Sequence, residues 1–156
     1  MDFAQKRRVR AGDGWALRTV KLQMSRKLMY AAGLLSCYSC KLELAGQPPE
    51  HGRYRVVEHL EGLVRKTPLD ILARAALSFG EFSACAKDLF SAYDEFLAVL
   101  DDPDRRTYLE KLAPGQEADP HYQQAHAIGK RFEGALIEMF FDSQPLAELT
   151  RRYGVF

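Results

Sequence analysis

The sequence predicts an all-α fold, a single-domain helical bundle of about six or seven helices around a long central first helix. Three observations carry this. Apolar residues recur at intervals of three and four, and no credible alternation of two is found. Pro and Gly punctuate the chain between the periodic stretches. Three helix starts use one device, an Asp or Thr directly before Pro: Thr67-Pro68, Asp102-Pro103 and Asp119-Pro120. With 156 residues, 47% of them hydrophobic and 28% charged, the chain is long enough to bury a core without disulfides and too apolar for disorder.

Residues 1–14 read as a flexible basic arm and 15–156 as the helical domain. The first helix runs from about Trp15 to Leu44, with Asp13 as a possible N-cap, and stops before Pro48 and Pro49, which cannot continue it. A second helix covers about Arg53 to Arg65. The third opens on Thr67 and Pro68, with Asp70 completing a reciprocal cap, and ends near Gly80. A fourth takes in FSACAKDLFSAYDEFLAVL and closes at Asp101. Asp102-Pro103 starts a short fifth helix, and Asp119-Pro120 a sixth that reaches about Phe141. Ser143, Gln144 and Pro145 open a last short helix ending at Gly154.

The first helix, with RTVKLQMSRKLMYAAGLLSCYSCKLEL at its centre, is the longest uninterrupted helical signal in the chain. At about 100° per residue, Leu17, Val20, Met24, Leu28, Ala31, Leu35, Tyr38 and Leu42 form one seam. Leu22, Met29, Gly33, Ser36, Cys37 and Cys40 form a second face that becomes small toward its C-terminal half, and both faces are expected to be covered by neighbouring helices. A membrane span needs roughly 20 apolar residues. The run from Leu28 to Tyr38 is only 11 residues long, with Arg26, Lys27 and Lys41 bracketing it, so no membrane association is expected.

Cys37 and Cys40 share nearly one helix face and supply half of a tetrahedral metal site. No second ligand pair at the usual spacing exists, and the pair lies far from a helix N-terminus, where a redox Cys-x-x-Cys has its thiols activated. They are expected to be small buried side chains, with metal binding the lesser reading, and no cofactor is implied. Three cysteines, an odd count, and no apolar leader after MDFAQKRRVR point to a reducing, cytoplasmic setting.

Charge is unevenly placed. Net charge is +1, yet residues 1–30 carry eight cations, Lys6, Arg7, Arg8, Arg10, Arg18, Lys21, Arg26 and Lys27, against Asp2 and Asp13. Such asymmetry is a cue for an acidic partner, whether nucleic acid, membrane surface or acidic protein. The four cations of the first helix point in different directions, so no single recognition stripe is expected there.

RYRVVEH places Arg53 six residues before His59, with Arg55 between them. This resembles the Arg-x(4–6)-His arrangement of the HEPN ribonucleases, helical bundles in which Arg and His attack RNA. The resemblance covers seven residues, and in that family the motif lies near the last helices, whereas here it opens the second. With 14 Arg and four His in the chain, about one such match is expected by chance. It implies Arg53, Arg55 and His59 as the catalytic candidates. The acidic group Asp94, Glu95, Asp101, Asp102 and Asp104 reads mostly as helix capping. His121 and His126, five apart, do not stack for a shared metal.

The leading functional expectation is therefore a non-catalytic helical interaction module that contacts a protein partner or forms a homo-oligomer. The alternatives are binding of an RNA or DNA backbone by the basic N-terminal segment, and a helical enzyme or subunit in nucleotide or RNA processing.

Overall fold

A computed structural model describes residues 14–44, 52–78 and 83–154 of the chain. Among the described residues there are seven α-helices and no strand, so the fold is all-α: α1 (Trp15–Glu43), α2 (Gly52–Val64), α3 (Pro68–Ser78), α4 (Ser83–Asp101), α5 (Pro103–Lys111), α6 (Pro120–Ile137) and α7 (Leu146–Tyr153). A π-helical turn, Glu138–Asp142, continues directly from α6. The expected N-cap Asp13, most of the basic arm and the terminal Val155-Phe156 lie outside the described residues.

The Pro-marked starts form because their caps are local. Asp102 Oδ1 accepts from the amides of Asp104 and Arg105, both at 3.0 Å, and Asp119 Oδ1 accepts from those of His121 and Tyr122 at 2.9 and 3.1 Å. At α3 the cap is reciprocal: the Asp70 amide donates to Thr67 Oγ1, while Asp70 Oδ2 accepts from the Thr67 hydroxyl at 2.7 Å and from its amide at 3.1 Å. Beyond Ile137 the expected continuation of α6 is instead the π turn, closed by the Ser143 amide donating to the Glu138 carbonyl at 3.2 Å.

The chain divides into two compact units. One comprises residues 1–26 and 88–134, the other 27–87 and 135–156, so α1, α4 and α6 each give a stretch to both.

In the first unit Leu17, Val20 and Met24 of α1, Leu89, Phe96 and Val99 of α4, Leu109 of α5 and Phe132 of α6 are buried. Each large side chain removed from water contributes roughly 1.5–3 kcal/mol. Aromatic rings add directional contacts: Trp15 stacks on Tyr122 with centroids 5.0 Å apart, and Tyr93 lies 6.2 Å from Phe132. Arg131 Nη1 donates to both carboxylate oxygens of Glu95, at 2.9 and 2.8 Å. The start of α1 is fixed to the end of α5 by the Gly14 amide, which donates to the Glu110 carbonyl at 3.0 Å; Gly14 takes a φ of 66°, open to glycine at little cost.

In the second unit the continuing seam of α1, Leu28, Ala31, Leu35 and Tyr38, is buried, as are Leu63 of α2, Leu72 and Ala75 of α3, Met139 and Phe140 of the π turn, and Leu146 and Leu149 of α7. Tyr38 meets Phe140 edge-on at 6.3 Å. The α1 seam is thus observed as expected from Leu17 to Tyr38, with Leu42 half-buried at its end.

The α3 cap gives a pH prediction. Hydrogen bonds from the Thr67 hydroxyl, and then from its amide, hold the Asp70 carboxyl below the ordinary carboxylate range. A carboxyl whose pKa is depressed on folding contributes stability that is present above its unfolded value and is lost as pH falls through the folded one. Acidifying through that window should therefore destabilise the wild-type chain more than Asp70→Asn, in thermal melts compared pH by pH. Parallel losses would contradict the reciprocal cap.

Candidate interaction sites

Four of the eight N-terminal cations lie among the described residues. Arg18 and Lys21 stand on one wall of a cleft in the first unit, while Arg26 is exposed farther along α1 and Lys27 is half-buried. Lys6, Arg7, Arg8 and Arg10 lie outside the described residues. The cleft runs between the start of α1, through Gly14, Leu17 and Leu22, and the end of α5, through Glu110, Lys111, Leu112 and Pro114; it is open to solvent, with a volume of about 1030 Å³. Lys111, 90 residues after Lys21 in sequence, completes its basic lining. Nothing local in the sequence marks that meeting, and the expectation of four divergent cations missed it.

The second face of α1 departs from the expectation that neighbouring helices cover it and keep its thiols dry. Met29 is 62% exposed, Gly33 and Cys37 are exposed, and Cys40 and Ser36 are half-buried. The reason is arithmetic on the helix circumference: the described neighbours of the second unit pack on the seam side, which leaves the small side of this stretch without cover. No described atom lies within 4 Å of the place a Cβ on Gly33 would take. Nothing in the described chain therefore requires glycine there, although glycine inside an exposed helix costs about 1 kcal/mol relative to alanine. Gly129 differs, since a Cβ there would sit 2.9 Å from Gln23 Oε1. Gly62 and Gly134 are as open as Gly33, but only Gly33 is flanked four residues away on both sides by exposed apolar or thiol side chains.

Cys40 Sγ donates to the Ser36 carbonyl at 3.5 Å. Cys85 is the buried thiol, pushed above its ordinary pKa by burial and then by the Glu138 carboxylate. Among the described residues no three His, Cys, Asp or Glu side chains converge to hold a metal. Of the acidic group, Asp102 caps α5 and Glu95 pairs with Arg131.

Of the catalytic candidates, Arg55 is exposed, the Arg53 side chain lies outside the described ones, and His59 is half-buried against α1, where its Nε2 lies 2.7 Å from Ser39 Oγ. Ser39 Oγ is also 2.8 Å from the Ser36 carbonyl. A hydroxyl has one proton; spent on that carbonyl, it leaves Ser39 to accept from a His59 Nε2–H. The cavity lined by Ser39, Leu35, Leu63 and Arg74 holds about 20 Å³, space for a water molecule and not for a substrate. The pair therefore ties α1 to α2, a role that no spacing rule signals.

No helix among the described residues is long and apolar enough to cross a membrane. Comparison with known proteins found no matching family, no matching curated protein and no matching solved structure.

These positions predict two outcomes. In the native state Cys37 should react with a bulky aromatic disulfide at once and Cys85 only on unfolding; equal rates would refute the assignment of buried and exposed thiols. Ser39→Ala and His59→Ala should each destabilise the chain by about 1 kcal/mol in urea titrations. The double variant should lose less than the sum of the two, and strict additivity would show that the hydrogen bond contributes nothing.

Proposed function

We propose that this chain is a non-catalytic helical interaction module whose contact is with a second copy of itself, made through the exposed face of α1 at Met29, Gly33 and Cys37. The supporting observation is that this row, spaced by four, presents a residue without a side chain between a long flexible one and a short one. Rows spaced by four are the ridges that interlock when helices cross at about −50°, and small residues let two backbones approach closely.

The row is self-complementary. A two-fold axis at Gly33 sets Met29 opposite the partner's Cys37, long against short, and glycine against glycine. The same operation places Arg26 opposite Cys40 of the partner subunit and Lys41 opposite Ser25 of the partner subunit, so no cation of this face meets another. Isologous pairing of this kind closes at two copies. Exposed Tyr54 and Val57 of α2 and Leu77 of α3 are further apolar side chains of the same unit, and scattered exposed apolar residues of that sort are common on monomers too.

The reading is tested by light scattering across a concentration series. A dimer is expected for the wild type, and a monomer of unchanged helical content for Gly33→Glu, since that site is open within the chain. Met29→Cys should yield a dimer linked through Cys37 on mild oxidation. A wild type that stays monomeric at every concentration, or a Gly33→Glu variant that still pairs, would refute the proposal.

A further inference from the structure

We infer that the cleft between the start of α1 and the end of α5 binds an acidic, apolar peptide segment of a partner protein. Its residues are distinct from those of the self-association proposed above. The floor of the cleft is apolar, with Leu17 and Leu112 buried at its base and Leu22 and Pro114 on its walls. Among the described residues its charged lining comprises the cations Lys21, Lys111 and Arg18 and the carboxylate of Glu110. An occupant must therefore offer apolar side chains to the floor and negative charge to the rim.

Charge complementarity selects among occupants. A cationic segment would meet like charge at the rim. Nucleic acid satisfies the charge and not the floor. Single strands are held by bases stacking on aromatic rings, and among the described residues no aromatic side chain lines the cleft; Trp15, one position after Gly14, is already stacked on Tyr122. A peptide carrying Leu on one side and Glu or Asp on the other satisfies both requirements, as amphipathic helices do in apolar grooves.

Size agrees. A helix about 10 Å across rises 1.5 Å per residue, so about 1030 Å³ corresponds to roughly two of its turns. The two walls are joined at one end by the hydrogen bond from the Gly14 amide to the Glu110 carbonyl at 3.0 Å. Lys21 and Lys111 are exposed on opposite walls and reach acidic side chains on either flank of the ligand.

The test is fluorescence anisotropy with three labelled probes. One is a peptide of about 15 residues with Leu on one helical face and Glu on the rest; the second is the same peptide with Lys for Glu; the third is a uridine homopolymer of matching length. The acidic peptide should bind, weaken as salt is added, and lose about tenfold in affinity to Lys21→Glu combined with Lys111→Glu. Leu22→Ser should also weaken it, and Lys87→Glu, an exposed cation of the other unit, should not. Equal binding of the Lys peptide, or no response to the double charge reversal, would overturn the inference. Preferential binding of the uridine strand would overturn it in favour of a nucleic-acid site. Light scattering on the double variant separates the two proposals, because a dimer should persist there whether or not the cleft takes a peptide.

Discussion

A helix buries only the arc of its circumference that other helices reach, and α1 carries more apolar arc than the described chain covers. Its seam from Leu17 to Tyr38 is buried along seven positions and supplies one wall of the core in each of the two units. That burial contributes roughly 1.5–3 kcal/mol for each large side chain. The remaining elements are placed by what they add to it: Phe132 and Leu89 in one unit, Leu72, Met139 and Leu146 in the other. What the seam side satisfies, the small side of the second unit's stretch leaves open, and the proposed function comes from that imbalance.

Much of the fold could be read from the chain because its signals are short in range. Thr67, Asp102 and Asp119 each cap a helix within three residues of themselves, so a four-residue window contains the whole cause. The seam of α6 and the π turn, Tyr122, Ala125, Gly129, Phe132, Leu136 and Met139, is buried at every position, as its period requires. Periodicity says which side of a helix is apolar. It does not say how many neighbours arrive, and for that reason the exposure of Met29, Gly33 and Cys37 was not legible.

Sites depend on separations that no window spans. Lys111 joins Lys21 across 90 residues, and Ser39 joins His59 across 20; both meetings are products of tertiary packing. The seven-residue run containing Arg53 and His59 is visible in sequence, while the engagement of that imidazole by a hydroxyl of α1 is not. The two surfaces differ in kind as well as in place. The exposed row of α1 is uncharged and small at its centre, and the cleft of the first unit has apolar side chains below cationic ones.

The π turn at Glu138–Asp142 has a further consequence, for how the chain tolerates changes of length. A turn closed by an i to i+5 hydrogen bond holds one residue more than the α-helix it interrupts. Deleting a single exposed residue at its end, such as Asp142, would let the segment relax to ordinary helix while Met139 and Phe140 before it and Leu146 and Leu149 after it keep their buried seats. The same deletion earlier in α6 would rotate every later position by about 100° and swing Phe140 out of the core. The segment is a built-in slack point, where the loss of one residue disturbs the buried seats around it least.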